Sequence, residues 1–183
     1  VTFNSNGGLG SMASQNSNVL TPLTANSFTR SGYSFLSWNT LSNGSGTSYS
    51  DGASYSFVTD VTLYAQWTAL PTHTVTFNSN GGLGTMSAQT SNVSVALNAN
   101  SFTLSGYTFS GWNTSANGSG TNYADGATYS FNSDMTLYAQ WTALPTHTVT
   151  FNANGGSGSM SNQTANVPTA LTSNLFTRSG FSF

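Results

Sequence analysis

The sequence contains no lysine, no glutamate and no cysteine. Arg30 and Arg178 are its only cations among 183 residues, and Asp51, Asp60, Asp125 and Asp134 its only anions. A globular surface is normally about a quarter charged; here Ser, Thr, Asn and Gly stand in those places. Each absence excludes something. Nucleic acid is not an expected partner, because neutralising phosphates takes clustered Lys and Arg. Electrostatic docking on an anionic membrane fails for the same reason. Without Lys no Lys–Asn isopeptide cross-link can form, and without Cys no disulfide can staple a small unit. No run approaches the ~18 apolar residues of a membrane span, so no membrane insertion is expected within this segment, and no signal peptide opens the chain. The net charge of −2 gives copies little reason to repel one another.

What is present is repetition. Val1, Val75 and Val149 begin equivalent segments 74 residues apart, with no insertion or deletion between them. The chain reads as repeat 1 at 1–74, repeat 2 at 75–148, and the first half of a third at 149–183. The first two agree at roughly three-quarters of positions. The chain reads as a window cut from a longer array, in which stability is local plus nearest-neighbour.

Within a repeat, the strongest pattern is Val61-Thr62-Leu63-Tyr64-Ala65-Gln66-Trp67, which returns as Met135-Thr136-Leu137-Tyr138-Ala139-Gln140-Trp141. Period-two alternation puts Val61, Leu63, Ala65 and Trp67 on one face of a strand and Thr62, Tyr64 and Gln66 on the other. Trp67 is expected to bury the largest apolar surface of its unit. Val1-Thr2-Phe3-Asn4 reads as an opening strand, followed by Asn6-Gly7-Gly8, a hairpin turn that recurs at 80–82 and 154–156. From Met12 to Leu23 a second strand and a loop are both compatible with the residues. Asn26 to Ser31 could form a short helical turn with Phe28 buried. In Gly32 to Trp38, Tyr33 and Phe35 alternate and Trp38 falls out of phase, which predicts a bulge near Leu36 or Ser37. Gly111, at the position of Ser37 in repeat 2, suits such a bulge. The core residues expected from these patterns are Phe3, Phe35, Trp38, Leu63 and Trp67, with Phe77, Phe109, Trp112, Leu137 and Trp141 in repeat 2. Thr68 to Thr74 links successive units; Pro71 favours an extended connection, and the units should follow head to tail as a semi-rigid rod.

Three motifs at fixed spacing carry a resemblance: Val1-Thr2-Phe3-Asn4-Ser5-Asn6-Gly7-Gly8, Arg30-Ser31-Gly32-Tyr33-Ser34-Phe35-Leu36-Ser37-Trp38, and Leu63-Tyr64-Ala65-Gln66-Trp67. Together they resemble the Listeria–Bacteroides repeat, the internalin-type B repeat, over the whole chain. The resemblance implies a β-rich α+β fold class, with small β-grasp-like repeat domains arranged head to tail in secreted or wall-attached bacterial surface proteins. It carries over no catalytic residues. Leu104 stands where the other repeats have Arg30 and Arg178, a departure from the pattern.

Little else in the sequence offers chemistry. His73 and His147 sit one per repeat in a polar linker, without the spacing of a metal site. Asp51, in Asp-Gly, and Asp60, before the closing strand, read as turn formers rather than a carboxylate pair. No EF-hand, nucleophile elbow, phosphate loop or cofactor motif occurs, so an enzyme is not expected. Tyr64 and Tyr138, on the outward face of the closing strand, are the candidate contact aromatics. The function expected is a structural tandem segment of an extracellular bacterial protein, a stalk or self-associating fibre whose partners are adjacent repeats and other copies of itself. The alternative is an adhesin module that binds glycans.

Overall fold

The computed structural model describes residues 1–183 and contains strands, turns and extended segments only. Repeat 1 holds β1 (Thr2–Asn4), β2 (Thr21–Pro22), β3 (Tyr33–Asn39), β4 (Ser48–Tyr49), β5 (Ser54–Tyr55) and β6 (Thr62–Ala69). Repeat 2 holds β7 (His73–Asn78), β8 (Gln89–Ser91), β9 (Val95–Ala96), β10 (Tyr107–Asn113), β11 (Asn122–Tyr123), β12 (Thr128–Tyr129) and β13 (Met135–Ala143). β14 (His147–Val149) and β15 (Gln163–Ala165) complete the series. The expected α+β, β-grasp-like fold is therefore overturned: there is no helix in any repeat. Met12 to Ser31 is rich in Ser, Asn and Thr, whose side chains bond nearby backbone and compete with helical hydrogen bonds. Asn26 shows the competition directly. Its amide side chain accepts from the Phe28 N–H and donates to the Phe28 carbonyl, both at 3.0 Å. The helical turn expected at 26–31 is replaced by this local fold, although Phe28 is buried as anticipated.

The main sheet of repeat 1 runs β1-β6-β3-β4. The alternating closing strand takes a central place: β1 pairs with it in parallel, Phe3 beside Leu63, and β3 pairs antiparallel on its other edge, Trp38 beside Ala65. Asn6-Gly7-Gly8 is consequently not a hairpin turn. Asn6 and Gly7 take φ of 47° and 87°, and the Gly8 N–H bonds the Ser5 carbonyl at 2.9 Å, but the next residues lack alternation: Leu9 bridges Thr29, and the chain returns beside the opening strand only at Gln15, which exchanges two backbone hydrogen bonds of 2.9 Å with Val1. The predicted bulge is present. The register passes from Phe35↔Trp67 to Ser37↔Gln66 and leaves Leu36 unpaired; in repeat 2 it passes from Phe109 to Gly111, whose φ is 141°. The bulge turns Trp38 inward.

Trp38, not Trp67, is the centre of the core. Trp38 is 0% exposed and is ringed by Phe3, Phe35 and Phe28 at centroid distances of 4.9, 5.0 and 6.1 Å. Trp67 and Phe35 are half-buried at its margin, 5.8 Å apart edge to face. Trp67 stays at the rim because its indole N–H reaches the Ser5 carbonyl at 2.9 Å. Repeat 2 repeats the set with Phe77, Phe102 and Phe109 around Trp112, Leu137 buried, and Trp141 half-buried over Ser79.

By spatial contact the chain divides into two compact units that cut across the 74-residue period. One comprises Val1–His73, Thr90–Val95 and Ser130–Ser133; the other comprises Thr74–Gln89, Ala96–Tyr129 and Asp134–Phe183. The first unit thus contains two short segments that belong to repeat 2 in sequence, and the second contains everything from 149 onward.

Candidate functional site: the asparagine loop and the glycine turn

No group of three or more His, Cys, Asp or Glu side chains is placed to hold a metal ion. The most specific recurring geometry is a pairing of a loop with a turn. Within the first unit, Gly32 opens β3 with φ of +76°. Its carbonyl accepts the Leu70 N–H at 2.8 Å and the Asn92 side-chain amide at 3.1 Å. The same Asn92 nitrogen lies 3.3 Å from the Leu70 carbonyl, so one side chain fastens the start of β3 to the stretch that follows β6. A Cβ on Gly32 would stand 2.9 Å from the Asn92 Oδ1. Two requirements therefore fall on Gly32: a left-handed backbone and a bare α-carbon.

The second unit contains the same arrangement. Gly106, with φ of +80°, accepts the Leu144 N–H at 2.8 Å and the Asn166 amide at 3.0 Å, with the Leu144 carbonyl 3.5 Å from that amide. A Cβ on Gly106 would again meet Oδ1 at 2.9 Å.

The loop is shaped by hydroxyls that hold the carbonyl of the residue after the asparagine. Ser91 bonds the Val93 carbonyl at 2.9 Å and takes its N–H at 3.1 Å. Ser17 and Thr21 both donate to the Val19 carbonyl at 3.0 Å, and Thr169 donates to the Val167 carbonyl at 2.9 Å. Asn18 therefore occupies the same kind of hydroxyl-held loop as Asn92 and Asn166, but no glycine turn meets it. Burial follows the pairing: Asn92, Val93, Asn166 and Val167 are half-buried, whereas Asn18 is exposed and Val19 is 62% exposed. On the other side Gly32 and Gly106 are buried, and Gly180, with no side chain against it, is exposed.

The other singled-out residues serve structure. Asp51 accepts the Asn26 N–H at 2.8 Å and the Trp38 indole N–H at 3.4 Å. Asp134, the counterpart of Asp60, accepts the Thr74 N–H at 2.7 Å and ties the start of β7 to the start of β13. His73 and His147 open strands β7 and β14 rather than lying in a linker; His73 is half-buried and His147 exposed. Tyr64 and Tyr138 are half-buried on the face opposite Leu63 and Leu137, so they do not stand out as a free aromatic platform. Arg30 lies 4.1 Å over the Tyr33 ring, and Arg178 lies 4.6 Å over Phe181. Two buried polar residues escaped the sequence reading. Asn39 and Asn113 are 0% exposed. Asn39 donates to the carbonyls of Gly44 and Gly46 and accepts from the N–H groups of Leu41 and Gly46, holding the whole 40–47 loop. The available signal was an Asn directly after the core Trp, followed by Asn-Gly-Ser-Gly.

These turns recur where a family model for the Listeria-Bacteroides repeat domain matches, over residues 1–66, 73–140 and 147–183. The chain belongs to that family. Two curated relatives from Evansella cellulosilytica are similar to it. One, provisionally named a Gly-rich membrane protein, is 38% identical over 157 residues, 80% of this chain and 18% of its own length. The other, provisionally named a membrane protein, is 36% identical over 127 residues, 61% of this chain and 17% of its own. The chain thus spans less than a fifth of the relatives it matches. No solved structure matches it. Gly32, Trp38, Asn39 and Asn92 lie inside the Listeria-Bacteroides repeat matches, whereas Leu70 and Leu144 fall in the stretches between them.

Proposed function

We propose that this chain is a structural segment of a bacterial envelope or surface protein, in which tandem repeats serve as a stalk or as the body of a self-associating fibre. The observation that carries the reading is the twofold recurrence of the asparagine–glycine pairing: each instance joins a loop of one sequence repeat to the β3-type strand of the repeat before it. A chain of independent binding modules has no need of such a fastening. The membrane-protein names of the two relatives support an envelope location. The scarcity of charge supports close packing of copies, since Ser, Thr and Asn can hydrogen-bond across a contact without desolvating ions. Sheet edges here also lack the Lys that commonly discourages pairing. On this reading the segment catalyses nothing, and its partners are adjacent repeats and other copies.

Light scattering of the 183-residue protein, concentrated from low to high sodium chloride, tests the proposal. Association with little dependence on salt is expected for the fibre. A strictly monomeric protein throughout leaves the stalk alone, and saturable binding on a glycan array, abolished by Tyr64→Ala with Tyr138→Ala, would replace both with an adhesin.

A further inference from the structure

We propose that the asparagine loop is a directional clamp: Asn92 and Asn166 stabilise not the repeat they belong to but the one before it, through the glycine turn that opens its β3-type strand. The partner recognised is defined chemically, as a glycine of positive φ whose carbonyl already accepts the N–H of a Leu following the closing strand. This goes beyond the proposed role as a stalk or fibre and does not depend on it, since the bonds lie within one chain whether or not copies associate.

Three observations converge. First, the bond is made twice, by residues one full repeat apart, onto the same pair of carbonyls. Second, the loop is shaped from within its own repeat. Hydroxyls hold it whether or not a turn is present, as Ser17 and Thr21 do around the unmet Asn18. Little ordering remains to be done on contact, and preorganisation of this kind makes a polar contact favourable. Third, the acceptor side shows selection by shape. Any side chain on Gly32 or Gly106 would collide with the asparagine Oδ1, whereas a Cβ on Gly180 would meet nothing within 4 Å. Loss of the amide leaves Gly32 with the Leu70 bond alone and leaves the Leu70 carbonyl without that donor, so the cost falls on the ends of β3 and β6.

Residues 1–183 contain their own control, because Asn18 is the same residue in the same kind of loop and no glycine turn among these residues meets it. Hydrogen exchange read by mass spectrometry on the full chain is the experiment. Asn92→Ala is expected to speed exchange at 32–39 and 66–70 by roughly two- to ten-fold, the range that the net worth of one hydrogen bond implies. Residues 75–84 should be unaffected. Asn166→Ala should do the same at 106–113 and 140–144, and Asn18→Ala should change nothing outside its own loop. Asn92→Asp, which keeps the size and removes the donor, is expected to match Asn92→Ala. Exchange that rises only within repeat 2 for Asn92→Ala, or that rises equally for Asn18→Ala, would overturn the clamp. So would full protection in Asn92→Asp.

Discussion

At the scale of single residues, the stability of a repeat rests on a few side chains whose roles are not interchangeable. Trp38 is enclosed by three phenylalanines, so Trp38→Ala should destabilise repeat 1 by about 3–5 kcal/mol. Trp67→Ala should cost less, because the ring is half-buried and part of its surface is already wet. Denaturant titration of both variants, side by side, checks the order. Asn39→Ala removes one carbonyl acceptor and one amide donor from a site that is 0% exposed. Each buried group left without a partner costs about 1–3 kcal/mol, so this polar substitution should approach the cost of a core truncation. Gly8 is a quieter case. A Cβ there would lie 2.7 Å from the Trp67 ring and 3.0 Å from the Thr29 carbonyl. Gly8→Ala should therefore push Trp67 off the turn and cost about 1–3 kcal/mol, visible as a change in tryptophan emission.

At the scale of elements, the legible parts of the sequence were those with a period. The alternation of 61–67 and 135–141 gave the closing strands, and the phase slip before Trp38 gave the bulge, because a pleated strand leaves side chains only two directions. The same alternation misplaced Trp67, since period says which face a residue takes and not how deep along the strand the core extends. The polar stretch 12–31 has no period, and its structure is written in individual side-chain-to-backbone bonds. Gln15 illustrates this: its carbonyl oxygen accepts from Thr24 N–H at 2.8 Å and its amide donates to Pro22 at 2.8 Å. Such bonds depend on geometry that composition does not encode, and so the helix implied by family resemblance was not there. The asparagine loop was illegible for the same reason: Asn18, Asn92 and Asn166 hold equivalent positions, each directly before a Val, and no period in the flanking residues marks the contact. Burial along the opening strands gives a prediction at this scale. Val75 is 0% exposed beside β13, whereas Val149, with no closing strand beside it, is 42% exposed. Amides from 149 to 183 should exchange much faster than their counterparts at 75–109. The exception expected is the β14–β15 pair, His147–Val149 with Gln163–Ala165, next to the loop that Asn166 anchors on Gly106. Uniform protection across 149–183 in a monomer would contradict this reading.

At the scale of the whole molecule, the spacing of the clamp has a consequence for how such a chain can vary in length. Knob and socket both recur every 74 residues, so the genetic loss or gain of one period, with its breakpoints anywhere, restores a matching pair. Removal of residues 33–106 would place Tyr107 directly after Gly32 and leave Asn166 facing Gly32 and Leu144, the same three chemical groups that meet now. Slippage by any other number would strand an asparagine without its turn. The shortened 109-residue chain should therefore fold with a cooperative thermal transition, and a deletion of similar size out of step with the period, 33–96, should not. Circular dichroism melts of the two would show whether unequal recombination between near-identical repeats can trim or extend this protein without damaging a single joint.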